Sequence, residues 1–345
     1  MNFTLHITDR CNFKCTYCRH KTRDKEIEFD KVKKLIELSK QYGNHTGFCF
    51  YGGEPFCAFE LVKEIIEYCK SQKDHKFSFK MNSNGSLFTE EKIKYLTENN
   101  VEVCLSHDGL MQHLTKPDLL GNNTFQKANE SAKLLLKYQP YSAVQTVFAP
   151  ESCHLYAESV KFLYNLGFRR ILAVYAAGVK WEDKHLKILE SEYEKIAEFY
   201  KECFYKKDAF YLSYIDDKIS SGIKGEKKKP CHMGRGQFNV DVEGKIYPCS
   251  QFVGKEEYCL GDTEKGLYNI KRVLDISTEP ETCKDCQLKP RCRNSCGCLN
   301  ISETGTLNNV SPFQCEHERL IIDVADSIAE EMFEKEPEIF KKRYL

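Results

Sequence analysis

A chain of 345 residues is long enough for one barrel with an appendage or for two to three ordinary domains. Its 51 basic residues balance 51 acidic ones, which excludes a chain-wide bias toward nucleic acid or an anionic membrane. No apolar run reaches the roughly 18 residues of a membrane span, and the N-terminus carries Asp, Arg and Cys where a signal peptide needs an apolar stretch. The chain is therefore expected in the cytoplasm. In that reducing compartment, 18 cysteines point to metal or catalysis rather than to disulfides.

The first half alternates short β-branched or aromatic runs with amphipathic helical patterns. The strands read as NFTLHIT (2–8), HTGFCFY (45–51), HKFSFKM (75–81), VEVCLS (101–106), YSAVQTVF (141–148) and RRILAVYA (169–176). Between them lie helices such as DKVKKLIELSKQYG, where Val32, Leu35, Ile36 and Leu38 form an apolar stripe, with Asp30 placed to cap the start and Gly43 to end it. Thr89 is a second expected cap, before EEKIKYLTENN. Six such units predict an α/β fold, a partial (β/α)6 TIM-type barrel over residues 1–181.

Residues 182–227 read as a long charged helix, EDKHLKILESEYEKIAEFYKECFYKK, followed by the linker SSGIKGEKKKP. The next segment, 228–320, is rich in Cys, Gly and Pro and poor in apolar residues. Metal is expected to replace part of its core. A final amphipathic helix, HERLIIDVADSIAEEMFEK, presents Leu320, Ile321, Val324, Ile328 and Met332 on one side, and the last segment, 321–345, continues it. No internal repeat of fixed period is evident.

Each motif of the first half falls at a strand end: CNFKCTYC after the first, YGGEP (51–55) at the second, NSNG (82–85) after the third and SHDG (106–109) at the fourth. In a β/α barrel those positions share the C-terminal rim, where active sites are built. CNFKCTYC offers three soft thiolates, Cys11, Cys15 and Cys18, which select zinc or an iron-sulfur cluster over hard cations. Zinc would want a fourth ligand, for which His20 is available. A four-iron cluster on three cysteines leaves one iron with an exchangeable site for a small chelating ligand. In GGEP, Gly52 and Gly53 suit close approach of a ligand, Glu54 suits an amine donor, and Pro55 fixes the turn. Ser106 and Asp108 suit a ribose, or simply a polar turn with Gly109. Tyr17 is either a core aromatic or a surface on which a base stacks.

CxxxCx(aromatic)C followed by GGEP on a partial barrel resembles the radical SAM superfamily over about residues 1–180. The resemblance implies that Cys11, Cys15 and Cys18 hold a [4Fe-4S] cluster whose fourth iron is chelated by S-adenosylmethionine. It also implies that Gly52, Gly53 and Glu54 meet the amino group of that cofactor, that Ser106 and Asp108 lie near the ribose, and that Tyr17 lies near the adenine. Reductive cleavage would then release methionine and a 5′-deoxyadenosyl radical that abstracts a substrate hydrogen. Relatives often carry an arginine after SHDG. Lys116 is the nearest candidate here.

Further on, Cys231, GxxxxC (Gly244 to Cys249), CKDCQLKPRCRNSC (283–296), Cys298 and Cys315 follow in order. CxxC alone suits a zinc ribbon. The complete order resembles the SPASM extension of radical SAM enzymes and implies two auxiliary [4Fe-4S] clusters, three clusters in all. By analogy Cys231, Cys249 and Cys296 bind the first, with an open iron or with Cys298 or Cys259 borrowed. Cys283, Cys286, Cys292 and Cys315 bind the second. Cys49, Cys69 and Cys104 read as small core residues, whereas Cys57, just beyond GGEP, Cys153 and Cys203 stay open between core and catalysis.

Such relatives most often act on a ribosomally made precursor peptide or a protein, forming thioether or carbon-carbon cross-links or other oxidations. That implies a flavodoxin- or ferredoxin-type electron donor and, because the chain begins almost at the first strand, a separate leader-binding protein or direct peptide binding. Neither nucleic acid nor membrane is an expected partner. Among the alternatives is an anaerobic sulfatase-maturating enzyme making formylglycine. In that group an Asp commonly follows the second SPASM cysteine, where this chain has Ser250. Outside enzymes, an iron-sulfur electron carrier or a zinc module would explain the cysteines but not GGEP.

Overall fold

The computed structural model describes residues 1–225, 234–271, 279–293 and 296–345. These divide into two compact units. The first comprises Met1–Ser106, Pro117–Gln139 and His232–Ser277, and the second comprises His107–Lys116, Pro140–Cys231 and Thr278–Leu345.

In the first unit, strands β1 (Asn2–Thr8), β2 (His45–Gly52), β3 (Lys76–Ser83) and β4 (Val101–Ser106) pair in parallel and in sequence order. Their register follows from two apolar rows, Phe3–Phe48–Phe79–Val101 and Leu5–Phe50–Met81–Val103, all nearly without solvent exposure. A slip of one residue would turn both rows to the opposite face. That face instead carries the row Thr4, Cys49, Lys80 and Glu102.

Helices α1 (Phe29–Lys40), α2 (Phe59–Ser71), α3 (Glu90–Glu98) and α5 (Phe125–Tyr138) belong to the same unit. In α1 the buried side chains are Val32, Leu35, Ile36 and Ser39; each large one contributes roughly 1.5–3 kcal/mol over an exposed position. Its cap is Glu28, however, and not Asp30. Asp30 lies in the first turn and pairs with Lys33 at 2.9 Å, and Gly43 lies past the C-cap, Gln41. Thr89 does cap α3, accepting from the Lys92 N–H at 3.3 Å.

The sequence reading missed one feature of this sheet. Strand β8 (Gln237–Val240), from the Cys-rich segment, pairs in parallel with β1, Phe238 opposite Phe3 and Val240 opposite Leu5, extending the apolar rows. β9 (Lys245–Tyr247), β10 (Gly261–Asp262) and β11 (Gly266–Leu267) follow as an antiparallel meander. The segment expected as one domain, 228–320, is thus shared between the two units.

In the second unit β5 (Val144–Phe148), β6 (Arg170–Tyr175) and the short β7 (Tyr211–Leu212) are parallel. β5 starts three residues later than expected because Tyr141 stands in a turn and is 84% exposed. The unit also contains α4 (Gln112–Thr115), α6 (Tyr156–Leu166), α7 (Asp183–Tyr205), α8 (Ser213–Lys224), α9 (Gly297–Thr304), α10 (Pro312–Lys335) and α11 (Pro337–Tyr344). Helix α8 corrects the expected linker, since Ser220–Lys224 are its last turn, and Gly225 ends it at φ +56°. The rest of that linker lies outside the described residues. Along α10, Ile321, Ile328 and Met332 are buried as expected, but Ile322 and Ala325 are buried where Leu320 and Val324 are only half so. No helix among the described residues is long and apolar enough to cross a membrane.

Candidate functional site

Because β1, β2 and β3 are parallel neighbours, the segments after them meet at one edge of the first unit. The GGEP turn docks on the chain that leads into the cysteine loop: Gly53 N–H donates to Thr8 O, and Glu54 N–H to Arg10 O, both at 2.8 Å. A Cβ on Gly52 would stand 2.3 Å from Thr8 O, and one on Gly53 2.1 Å from Arg10 O. Gly52 also has φ +130°. The close approach expected for a ligand is therefore already made by the chain's own backbone.

Glu54 is almost wholly buried, 1% exposed. Its Oε1 accepts from Ser83 Oγ at 2.7 Å and from Phe56 N–H at 3.1 Å, and its Oε2 accepts from Asn84 N–H at 2.7 Å. Burial pushes the carboxyl up to about 7, against the pull of those three donors. Of about four acceptor positions on a carboxylate, two tie GGEP to NSNG through Ser83 and Asn84, and a third takes Phe56 N–H of its own turn. NSNG in turn reaches the cysteine loop: Asn84 Nδ2 donates to Asn12 Oδ1 at 3.0 Å, and Asn12 Nδ2 to Ser86 Oγ at 2.7 Å. Asn12 and Ser86 escaped the sequence reading, since a polar residue in a loop carries no signal until its partner, more than 70 residues away, is known.

The cysteine loop has a second anchor, where Lys14 N–H donates to Pro117 O at 2.9 Å and buried Phe13 bridges to Asp118. Cys11 and Cys15 are half-buried and Cys18 is exposed. Phe13 N–H points at Cys11 Sγ at 3.5 Å, and Cys18 N–H donates to Cys15 O at 3.1 Å. Burial pushes the Cys11 thiol up to about 11, with Glu54, Cys18 and Cys57 adding to it. Metal loading must therefore displace protons. Tyr51 is held up to about 12 by burial, with charge on Cys18, Cys49, Cys249 and Cys15 adding. Tyr17 is half-buried. His20, the available zinc ligand, is turned to Asp9, with Nε2 3.2 Å from its carbonyl oxygen and 3.5 Å from Oδ1. Among the described residues no three His, Cys, Asp or Glu side chains converge tightly enough for a single metal ion. Soft thiols suit zinc or an iron-sulfur cluster rather than a hard cation.

The fourth motif is corrected. Ser106 ends β4, half-buried. Asp108 and Lys116 belong to the second unit, where they pair at 3.0 Å with 0% and 1% of their side chains exposed. Asp108 also accepts from Val147 N–H and Thr115 Oγ1, each at 2.8 Å. Both charges are thus buried against each other, where the sequence reading has Asp108 near a ribose and Lys116 in the place of an arginine.

Of the other cysteines read as ligands, Cys231 lies outside the described residues. Cys249 is half-buried just after β9. In the second unit Cys283, Cys286, Cys292 and Cys315 line one cavity of about 610 Å³, with Glu318 and Arg319 beside them. Cys296 and Cys298 bring their sulfurs to 3.2 Å. Cys259, one of the two candidates for borrowing, is buried and donates to Gly261 O at 3.3 Å. Cys69, Cys153 and Cys203 are buried, while Cys49, Cys57 and Cys104 are half-buried.

Residues 5–152 match the model of the Radical SAM superfamily. The cysteine-type anaerobic sulfatase-maturating enzyme of Clostridium perfringens (strain ATCC 13124) is 26% identical over 334 residues, 86% of this chain and 89% of that one. Among solved structures, native anSMEcpe with bound AdoMet superposes with a TM-score of 0.80 at 20% identity, over 94% of this chain and 97% of that one. Streptococcus suis SuiB bound to its precursor peptide SuiA gives 0.63 at 15% identity, over 91% and 75%. These likenesses show the fold, α/β of the partial TIM-barrel type expected from the six strands. With CNFKCTYC and GGEP joined at one edge inside the matched segment, residues 5–152 carry a Radical SAM domain, and the chain is an enzyme of the kind that uses a [4Fe-4S] cluster and S-adenosylmethionine.

Proposed function

We propose that this enzyme modifies a ribosomally made peptide or a protein, with three [4Fe-4S] clusters: one on Cys11, Cys15 and Cys18, one on Cys231, Cys249 and Cys296 with Cys298 at hand, and one on Cys283, Cys286, Cys292 and Cys315. The observation that carries the reading is the cavity of about 610 Å³ with four thiols around it. That donor set suits a four-iron cluster, and no catalytic role for the triad explains it. Held by Cys11, Cys15 and Cys18, a [4Fe-4S] cluster would supply the electron for reductive cleavage of S-adenosylmethionine and so the means to take a hydrogen from an unactivated carbon.

The chain's own residues do the positioning. The Gly53–Thr8 and Glu54–Arg10 backbone bonds and the Asn84–Asn12 bond hold the start of the thiol loop against GGEP and NSNG, so the three sulfurs are presented by a rigid edge. Gly52, Gly53, Tyr17 and Ser106 remain the residues proposed to meet the cofactor. Glu54 acts mainly by fixing that edge. In functional terms the chain divides into a radical SAM segment (1–181), a bridge (182–227), an auxiliary-cluster segment (228–320) and a C-terminal helix (321–345), which cut across the two compact units.

The peptide substrate is supported by the SuiB structure, which holds a precursor peptide, and by the sulfatase-maturating relatives, which act on a protein. Formylglycine formation is the second reading, favoured by that 26% identity over 86% of the chain, but Ser250 stands where the Asp of that group commonly does. The electron would come from a flavodoxin- or ferredoxin-type donor.

Anaerobic reconstitution is expected to give about 12 irons per chain, falling to about 8 in the Cys283→Ala/Cys286→Ala double variant. Wild-type iron of about 4 would overturn the three-cluster reading. A short precursor peptide, sought in the reading frames beside the gene, should lose two hydrogens on incubation with reduced enzyme and S-adenosylmethionine. An unchanged mass for that peptide, with a sulfatase Cys converted to an aldehyde, would replace the first reading by the second.

A further inference from the structure

The second unit holds a buried ion pair that belongs to no motif. Lys218 on α8 and Glu318 on α10 meet at 2.6 Å, with 1% and 7% of their side chains exposed. Each makes one more bond, and both go to the segment that carries Cys292. Lys218 Nζ donates to Arg291 O at 2.7 Å, and Arg293 N–H donates to Glu318 Oε2 at 2.8 Å. Those two groups belong to the peptide bonds on either side of Cys292. The pair therefore holds the cysteine by both shoulders.

A second clasp lies next to the first. The Arg291 guanidinium donates to Lys218 O at 3.1 Å and forks onto Asp326 at 2.5 and 2.7 Å. Gly222, one turn after Lys218, leaves room for it, since a Cβ there would stand 3.1 Å from the guanidinium. Glu318 also lines the cavity of Cys283, Cys286, Cys292 and Cys315, and Lys218 lies within electrostatic reach of Cys292. Stability alone does not account for such a pair, because removing two charges from water costs several kcal/mol each and well-packed apolar residues often do as well.

We propose that Lys218 and Glu318 are positioning residues for Cys292 and that their charges set the reduction potential of the cluster bound in this cavity. The inference rests on the reading of the cavity as an auxiliary-cluster site. Reduction adds one negative charge there. Lys218 favours the reduced state and raises the potential, while Glu318 opposes it and lowers the potential. The two side chains thus act with opposite signs, although both support the same loop.

The test is a potentiometric EPR titration of the anaerobically reconstituted full chain, the cluster signal being assigned by its loss in Cys292→Ala. Lys218→Met is expected to lower the potential and Glu318→Gln to raise it. Each shift should be at least a tenfold change in the reduced-to-oxidised ratio at fixed potential, about 59 mV for one electron. Glu318→Gln keeps an acceptor for Arg293 N–H, and Lys218→Met/Glu318→Met removes both charges at similar volume, so the comparison survives if Lys218→Met alone fails to fold. An assembled cluster whose potential stays fixed, or moves the same way in both single variants, overturns the inference and leaves the cluster reading intact. A wild-type protein with no signal lost in Cys292→Ala overturns the cluster reading and the inference with it.

Discussion

Gly53→Ala is expected to reduce S-adenosylmethionine cleavage about 100-fold or more, the loss that a displacement of about 1 Å can cause at a reacting centre. The new Cβ would stand 2.1 Å from Arg10 O and 2.6 Å from the Arg10 carbonyl carbon. Both are backbone atoms of the residue before Cys11, so no side-chain rotation relieves the contact. Either the GGEP turn or the cysteine loop must move, and the bonds from Gly53 N–H to Thr8 O and from Glu54 N–H to Arg10 O are lost with it. Overpacking of this kind also costs about 1–3 kcal/mol or more in stability. Gly121→Ala is the control. Gly121 has φ +85° but nothing within 4 Å of the Cβ position, so it carries backbone strain without the clash and should keep its activity. Product quantitation and iron content of the two variants separate the effects.

Asp108→Ala should destabilise the protein by about 3–5 kcal/mol, because it leaves the Lys116 charge buried without its counterion. Val147 N–H loses its acceptor at the same time, and Thr115 Oγ1 is left with Met111 O alone. Glu102→Ala provides the contrast. Glu102 pairs with Lys80 at 3.0 Å, but 66% and 62% of the two side chains are exposed, and such pairs contribute about 0–1 kcal/mol. Denaturant midpoints at unchanged slope report the difference. An Asp108→Ala protein as stable as Glu102→Ala would show that the buried pair does not carry this stability.

Much of the site was legible because its determinants are local. Cys11, Cys15 and Cys18 lie within eight consecutive residues, and parallel strands bring CNFKCTYC, GGEP and NSNG to one edge by their position at strand ends alone. What stayed hidden depends on partners distant in sequence or on burial. The role of Gly53 is fixed by Arg10, and the role of Asn12 by Asn84 and Ser86. SHDG reads as a polar, cofactor-facing turn until burial commits Asp108 to Lys116, only eight residues on. The pairing of β8 with β1 spans more than 230 residues, and nothing in GQFNV announces it. Likewise Lys218 and Glu318 are 100 residues apart, each an ordinary charged residue in a helical pattern.

The central claim, that CNFKCTYC carries the cleavage of S-adenosylmethionine, is tested most directly by one measurement. The chain is reconstituted anaerobically with iron and sulfide, reduced, and incubated with S-adenosylmethionine, and 5′-deoxyadenosine is quantified against a Cys15→Ala control. Wild-type protein is expected to form it while the variant forms none above background. Equal amounts from the two, or none from the wild type at full iron loading, would contradict the account.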